Sequence, residues 1–279
     1  MALLRHLPLA LDPNQSIIAS YAFCSHPQTL CQIWQARWAS PCLSFPHQRY
    51  PVAAHSRSHH WKLRQVKSTN ISPTPSAGIM AQLKAGTAAL HAIAESKPLE
   101  AALISGDIGQ EQYKKYLSQR WLIHRDLETA TDRAITRDPR LASLHLPSLY
   151  QTKNLEADLS LLQAPLHTIQ PLQGATTLLQ EIKNAPSPAA LMGIYYVFEG
   201  SKNGARYIAR ALAKAWSKTD TTTMRYLDPH GEEQRSLWQK FKTEMDALTW
   251  SPSEQEQMVK SAQTTFTAIS ALDDEIHAA

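Results

Sequence analysis

The run Met192-Gly193-Ile194-Tyr195-Tyr196-Val197-Phe198-Glu199-Gly200-Ser201-Lys202-Asn203-Gly204-Ala205-Arg206-Tyr207-Ile208-Ala209-Arg210 is the most informative stretch of this chain. It lies inside the interval 188–216, which is opened by Ser187-Pro188 and holds no further proline. A serine N-cap followed by proline at the first helical position is a helix-start signal. Inside that helix stand three of the eight glycines found from Met80 onward. Each glycine in a helix interior costs about 1 kcal/mol relative to alanine, so three together need a reason. Gly193, Gly200 and Gly204 fall at i, i+7 and i+11, on one stripe. A stripe without side chains lets a partner approach the backbone, and it invites a kink. Two readings stay open on physics alone: close helix–helix packing, or a broken helix lying over a flat ligand.

Working outward, the remaining proline-free intervals also read as helices: 81–95, 110–133, 148–163, 175–184, 232–248 and 253–277. Ser251-Pro252 repeats the cap-then-proline signal. No alternating apolar–polar run with a hairpin turn occurs, so the expected class is all-α, a single compact multi-helix domain over residues 80–279. About 200 residues suffice for one well-buried core.

Residues 1–79 differ in composition. They carry all three cysteines, six of twelve histidines, eight of seventeen prolines, and seven Lys/Arg against the single acid Asp12. Their balance is about +6, whereas residues 80–279 come to about −2. The basic character belongs to the extension and does not point to a nucleic-acid-binding domain. Three readings fit it: an organellar transit peptide, a disordered tail, or upstream sequence ahead of a start at Met80. The domain from Met80 has no cysteine, which makes a reducing cytoplasm the default compartment, with an organelle as the alternative if residues 1–79 are a transit peptide. No apolar run approaches the ~18 residues of a membrane span.

The first helix carries Lys84 and His91 seven residues apart, on nearly one face and about 10.5 Å apart along the axis at 1.5 Å per residue. That is comparable to the distance from a haem iron to its propionates, and Ala88, Ala92 and Ala94 leave room for a flat macrocycle. A lone histidine on a helix is more often a surface or hydrogen-bonded residue, so spacing does not decide it. His124, His145, His167, His230 and His277 read as structural or solvent-facing.

Taken together, Tyr-x-x-x-Glu-Gly-Ser-x-x-Gly-Ala ending at Ala205 resembles the distal-helix signature of bacterial haem oxygenases. The opening Lys84…Leu90-His91-x-x-x-Glu95 is similar to their proximal helix, and the likeness extends over residues 81–272. The resemblance implies haem as both substrate and cofactor, with O2 as oxidant. His91 would be the axial iron ligand, with Glu95 one turn on orienting that region. Lys84 and Lys242 would pair with propionates; a lysine there donates as a point charge, not a bidentate fork. Tyr195 matches a family tyrosine near the propionates, although a core aromatic fits as well. Gly200, Ser201 and Gly204 would form the distal side, where bare backbone and ordered water replace an acid–base side chain. Ser201 stands where many relatives carry an aspartate, and Ala205 replaces the second glycine of a common pair.

The implied reaction opens haem at a meso carbon to biliverdin, CO and ferrous iron. The chain has no Gly-rich dinucleotide motif, so its electrons would come from a ferredoxin or flavin reductase. The alternative is a haem-binding or haem-sensing protein on the same fold without turnover. A di-iron or thiaminase-type relative would need Glu-x-x-His pairs or a cysteine, and residues 80–279 have neither.

Overall fold

The computed structural model describes residues 78–278, and every regular element among them is helical. In chain order these are α1 (Ile79–Glu95), α2 (Pro98–Ser105), α3 (Gln110–Arg137), α4 (Thr152–Leu161), α5 (Gln173–Lys183), α6 (Pro188–Ala215), α7 (Gln234–Ala247) and α8 (Pro252–His277). Short 3-10 turns at Pro139–Leu144, Leu146–Leu149, Leu166–Thr168 and Gly231–Glu233 join them. The all-α expectation holds. The extension expected over residues 1–79 lies outside the described residues except for Gly78 and Ile79, and α1 begins one residue ahead of Met80.

Both cap-then-proline signals work as read. Ser187 Oγ accepts the Ala190 N–H at 3.3 Å. Ser251 Oγ accepts the Glu254 N–H at 3.3 Å, while Glu254 Oε2 accepts the Ser251 N–H at 2.8 Å, a reciprocal capping box. One helix was not expected from the sequence. α2 is only eight residues long, set between Pro98 at its start and Gly106, whose φ of 82° ends it in the left-handed region. The 148–163 interval divides into the end of a 3-10 turn and α4, because Tyr150 is extended between them.

α8 is the axis of the domain. It turns Met258, Ala262, Phe266, Ile269, Leu272 and Ile276 inward, and α1, α5 and α6 pack along it. α3 closes the other side against α4, α5 and α6. α1 is tied to α7 at its start, where the Met80 N–H donates to Asp246 Oδ1 at 3.0 Å.

α6 is one continuous α-helix of 28 residues through all three glycines. The stripe divides. A methyl group at Gly193 would sit 2.1 Å from the Met258 carbonyl oxygen and 2.9 Å from its carbon, so this glycine exists to let α6 and α8 touch backbone to backbone. A methyl at Gly200 would meet only the edge of Trp238 at 3.7 Å, an ordinary contact. Gly193→Ala is therefore expected to lower stability by about 2 kcal/mol, overpacking outweighing the roughly 1 kcal/mol helix-propensity gain. Gly200→Ala in the ligand-free chain should be neutral or raise stability by up to about 1 kcal/mol. Urea denaturation of both variants checks the contrast; equal losses would mean the two glycines share one packing role.

Candidate functional site

α1 is amphipathic with a face left uncovered. Leu83, Thr87 and Ala94 are buried, whereas Lys84, Ala88, His91, Ala92 and Glu95 are exposed. Lys84, Ala88, His91 and Glu95 follow each other at helical spacing, so a cation, a small residue, an imidazole and a carboxylate line one stripe. The His91 side chain is 48% exposed, and its ring stands edge-on to Phe266 of α8, 5.4 Å between centroids. Its Nδ1 lies 3.4 Å from Glu95 Oε2, and its Nε2 has no hydrogen-bond partner among the described residues. That arrangement turns one nitrogen toward the Glu95 carboxylate and leaves the other without a partner among the described residues.

α6 comes close to α1 through Tyr196, half-buried, whose hydroxyl is within the influence of the buried Thr87 hydroxyl. His91 lies one turn on from Thr87, and Gly200 one turn on from Tyr196. The Tyr196 ring also packs on Trp238 of α7, 5.9 Å between centroids, and Trp238 stacks on Phe241 at 5.6 Å. The Lys242 ammonium lies 5.7 Å from the Trp238 ring centre. Trp238 therefore joins two residues the sequence singled out, Gly200 on one side and Lys242 on the other. Sequence reasoning gave neither Trp238 nor Tyr196 a role. The signal was the helical spacing of Trp238 and Lys242, four apart on α7.

Ser201 is exposed, and its hydroxyl donates to the Phe198 carbonyl at 2.8 Å. Gly204 and Ala205 are half-buried one turn further on. Tyr195 points the other way. It is 2% exposed, and its hydroxyl is held well above its usual pKa by burial and by Glu199, Tyr150, Glu128 and Asp132. The structure thus puts Tyr196 against α1, and Tyr195 in the interior.

The inner side of α6 carries charge that its apolar surroundings hide in the sequence. Glu199 and Lys202 are each about 3% exposed; the ammonium donates to Glu199 Oε1 at 2.5 Å and to the Leu149 carbonyl at 2.8 Å. Burial raises the Glu199 pKa and Lys202 opposes it. Among the residues read as structural or solvent-facing, His124 is 4% exposed, with Nε2 3.3 Å from the Tyr226 hydroxyl and the ring 4.8 Å from Phe198. Burial, with Lys202 and Arg120 nearby, holds its pKa well below the usual value, so it is neutral.

Among the described residues no group of three or more His, Cys, Asp or Glu side chains could hold a bare metal ion. No helix among them is long and apolar enough to cross a membrane.

The model of the family described as "Heme oxygenase" matches residues 77–272. No curated protein matches the sequence. The heme oxygenase from Leptospira interrogans has 20% identity and a TM-score of 0.64, covering 71% of this chain and 99% of its own. Heme oxygenase-1 from the cyanobacterium Synechocystis, solved in complex with heme, has 17% identity and a TM-score of 0.65, covering 72% and 93%. The likeness extends to a TenA homologue from P. horikoshii, with 15% identity, a TM-score of 0.55, and 71% and 98% covered. At such identities these likenesses concern the fold, which is shared by proteins with different names. The family match across nearly the whole described region decides the affiliation: the chain belongs to the heme oxygenase family.

Proposed function

We propose that this chain is a haem-degrading oxygenase that converts haem to biliverdin, CO and ferrous iron with O2 and externally supplied electrons. The observation that carries the reading is the state of His91: an exposed imidazole with Nδ1 facing Glu95 and Nε2 unengaged, on a face of small residues. Since no cluster of metal-binding side chains surrounds it among the described residues, one imidazole would serve an iron whose other ligands arrive with it, as a porphyrin supplies four. Bound haem supplies the iron that binds O2 and the ring that is opened.

The chain's own residues then divide the work. His91 Nε2 ligates, and Glu95 holds the Nδ1 proton and the ring's orientation, an arrangement that also makes the imidazole a stronger donor. Lys84, at the other end of the same stripe, and Lys242 of α7 pair with the propionates. Gly200 and Gly204 keep the α6 backbone bare beside the ring, where a methyl at Gly200 would meet the edge of Trp238 of α7 at 3.7 Å. The Ser201 hydroxyl, which spends its proton on the Phe198 carbonyl, is left as an acceptor for an ordered water. Tyr195 supports α6 from inside. Electrons come from a ferredoxin or flavin reductase.

The test is to load the full chain with haem and add ascorbate or a ferredoxin–reductase pair under air. The Soret band should give way to a bilin spectrum, with CO released. A stable haem complex whose Soret band survives reductant and O2 would overturn turnover and leave a haem-binding or haem-sensing protein on the same fold.

A further inference from the structure

Two donors on α7 have no acceptor among the described residues. Trp238 is 9% exposed, yet its indole N–H makes no hydrogen bond to any of them. The other two buried tryptophans are satisfied. Trp121 Nε1 donates to Glu156 Oε1 at 3.3 Å, and Trp250 Nε1 to the Met245 carbonyl at 2.9 Å. A buried indole N–H normally finds an acceptor, because an unmade bond costs the donor its hydration. Lys242, one turn on from Trp238 and half-buried, is the second donor. Lys240 has Glu244 at 3.8 Å, whereas Lys242 has no carboxylate partner among the described residues. Its ammonium lies 5.7 Å from the Trp238 ring centre, a cation–π distance.

The indole is held from three sides. Its ring stacks on Phe241 at 5.6 Å with 15° between the planes, and packs on Tyr196 of α6 at 5.9 Å. Its Cη2 and Cζ2 atoms lie 3.7 and 3.8 Å from the point where a Gly200 Cβ would stand. Cζ2 is bonded to the ring-fusion carbon that also carries Nε1, so the N–H belongs to the long edge of the indole that faces Gly200. A ligand lying on the bare backbone there meets that edge. The rim of a haem is apolar except for its two propionates, which are the only strong acceptors it could bring. A directional N–H beside an ammonium point charge suits one carboxylate.

We propose that Trp238 is a positioning residue for haem: its indole N–H and the Lys242 ammonium hold one propionate between them, and this clamp sets the in-plane rotation of the macrocycle beside α6. The inference rests on the haem reading above and deepens it. Lys242 alone is a point charge on a flexible stem and leaves the carboxylate free to pivot. The indole, locked by Phe241, Tyr196 and Gly200, adds a fixed direction. With the carboxylate held in one place, the rotation of the ring about its iron is held as well. Trp238 thereby selects which meso carbon is turned toward the α6 backbone, without itself touching the reacting atoms.

The test loads the full chain with hemin and follows the ferric cyanide complex by proton NMR, where the ring-methyl shifts report in-plane rotation without turnover. Trp238→Phe keeps a ring to stack on Phe241 and Tyr196 and removes the N–H. It should spread the methyl signals over more than one seating and weaken haem binding about tenfold, the worth of one hydrogen bond to a charged group. The double variant with Lys242→Met should lose less than the two single losses combined, because both donors serve one carboxylate. A second measurement needs no variant. In the wild type, diamagnetic gallium protoporphyrin should move the Trp238 indole N–H resonance further downfield than its dimethyl ester does. An unchanged methyl pattern in a folded Trp238→Phe chain, independent losses in the double variant, or equal shifts with acid and ester would each overturn the clamp. If Trp238→Phe alters the methyl pattern but the wild type makes no bilin, the clamp stands and the oxygenase reading falls. A wild type that binds no hemin ends both.

Discussion

Lys202→Met is expected to destabilise the ligand-free chain by about 3–5 kcal/mol, the range found when one partner of a buried pair is removed. That is a large part of the roughly 5–15 kcal/mol by which a domain is stable. The reason is specific to the place. The ammonium, 3% exposed, is the only cation bonded to Glu199 among the described residues, and it also satisfies the Leu149 carbonyl. Removing it leaves a carboxylate and a carbonyl in a dry interior. Glu199 would then hold its proton to higher pH, so the folded state would bind more protons than the unfolded one above the usual carboxylate pKa. By linkage the penalty should shrink as pH falls and grow as pH rises. The double variant Glu199→Gln/Lys202→Met should recover most of the loss, because the orphaned charge is gone. Urea melts at acidic and alkaline pH would check this. A Lys202→Met loss below about 1 kcal/mol at all pH values would mean water reaches the pair.

His91→Ala has the largest expected effect on ligand binding. Partners that merely orient a metal ligand already cost tenfold to a hundredfold in affinity when removed, so loss of the ligand itself should weaken haem binding by about a hundredfold or more. The ferric spectrum should lose the features of an imidazole-ligated haem, and bilin formation should stop. Glu95→Gln should do less, about tenfold, since it weakens a 3.4 Å contact to Nδ1 and leaves Nε2 in place. Folding should be unaffected in both, because the two side chains are 48% and 40% exposed. A His91→Ala chain with unchanged haem affinity and spectrum would remove His91 from the site.

Much of the helical frame was readable because its signals are local. Ser187-Pro188 and Ser251-Pro252 start α6 and α8 where the caps say they should, through hydrogen bonds that reach no further than three residues. That Lys84, His91 and Glu95 share one stripe follows from spacing alone; that the stripe is exposed does not. α2 escaped because eight residues are too few to show a period, although Pro98 and Gly106 mark both its ends.

The interior was less legible, for a physical reason. Whether a polar residue is a solvated surface group or half of a buried pair depends on what crosses it from another helix. Nothing near Arg120 says that Asp273, 153 residues away, will face it. His124 looks like any helix histidine until Tyr226 and Phe198 close over it. Tyr195 and Tyr196 are chemically identical neighbours, and only the packing of α6 sends one inward and the other to Thr87.

The glycine stripe shows where the division falls. By itself the sequence determined that α6 is a helix, that its three glycines share one face, and that a partner must come close there. Tertiary structure alone decided that Gly193 answers to the Met258 backbone while Gly200 faces the edge of a tryptophan at ordinary contact distance. Helical periodicity is a property of the chain within a turn or two. The identity of what fills the space outside it is set by chain folded back from far away.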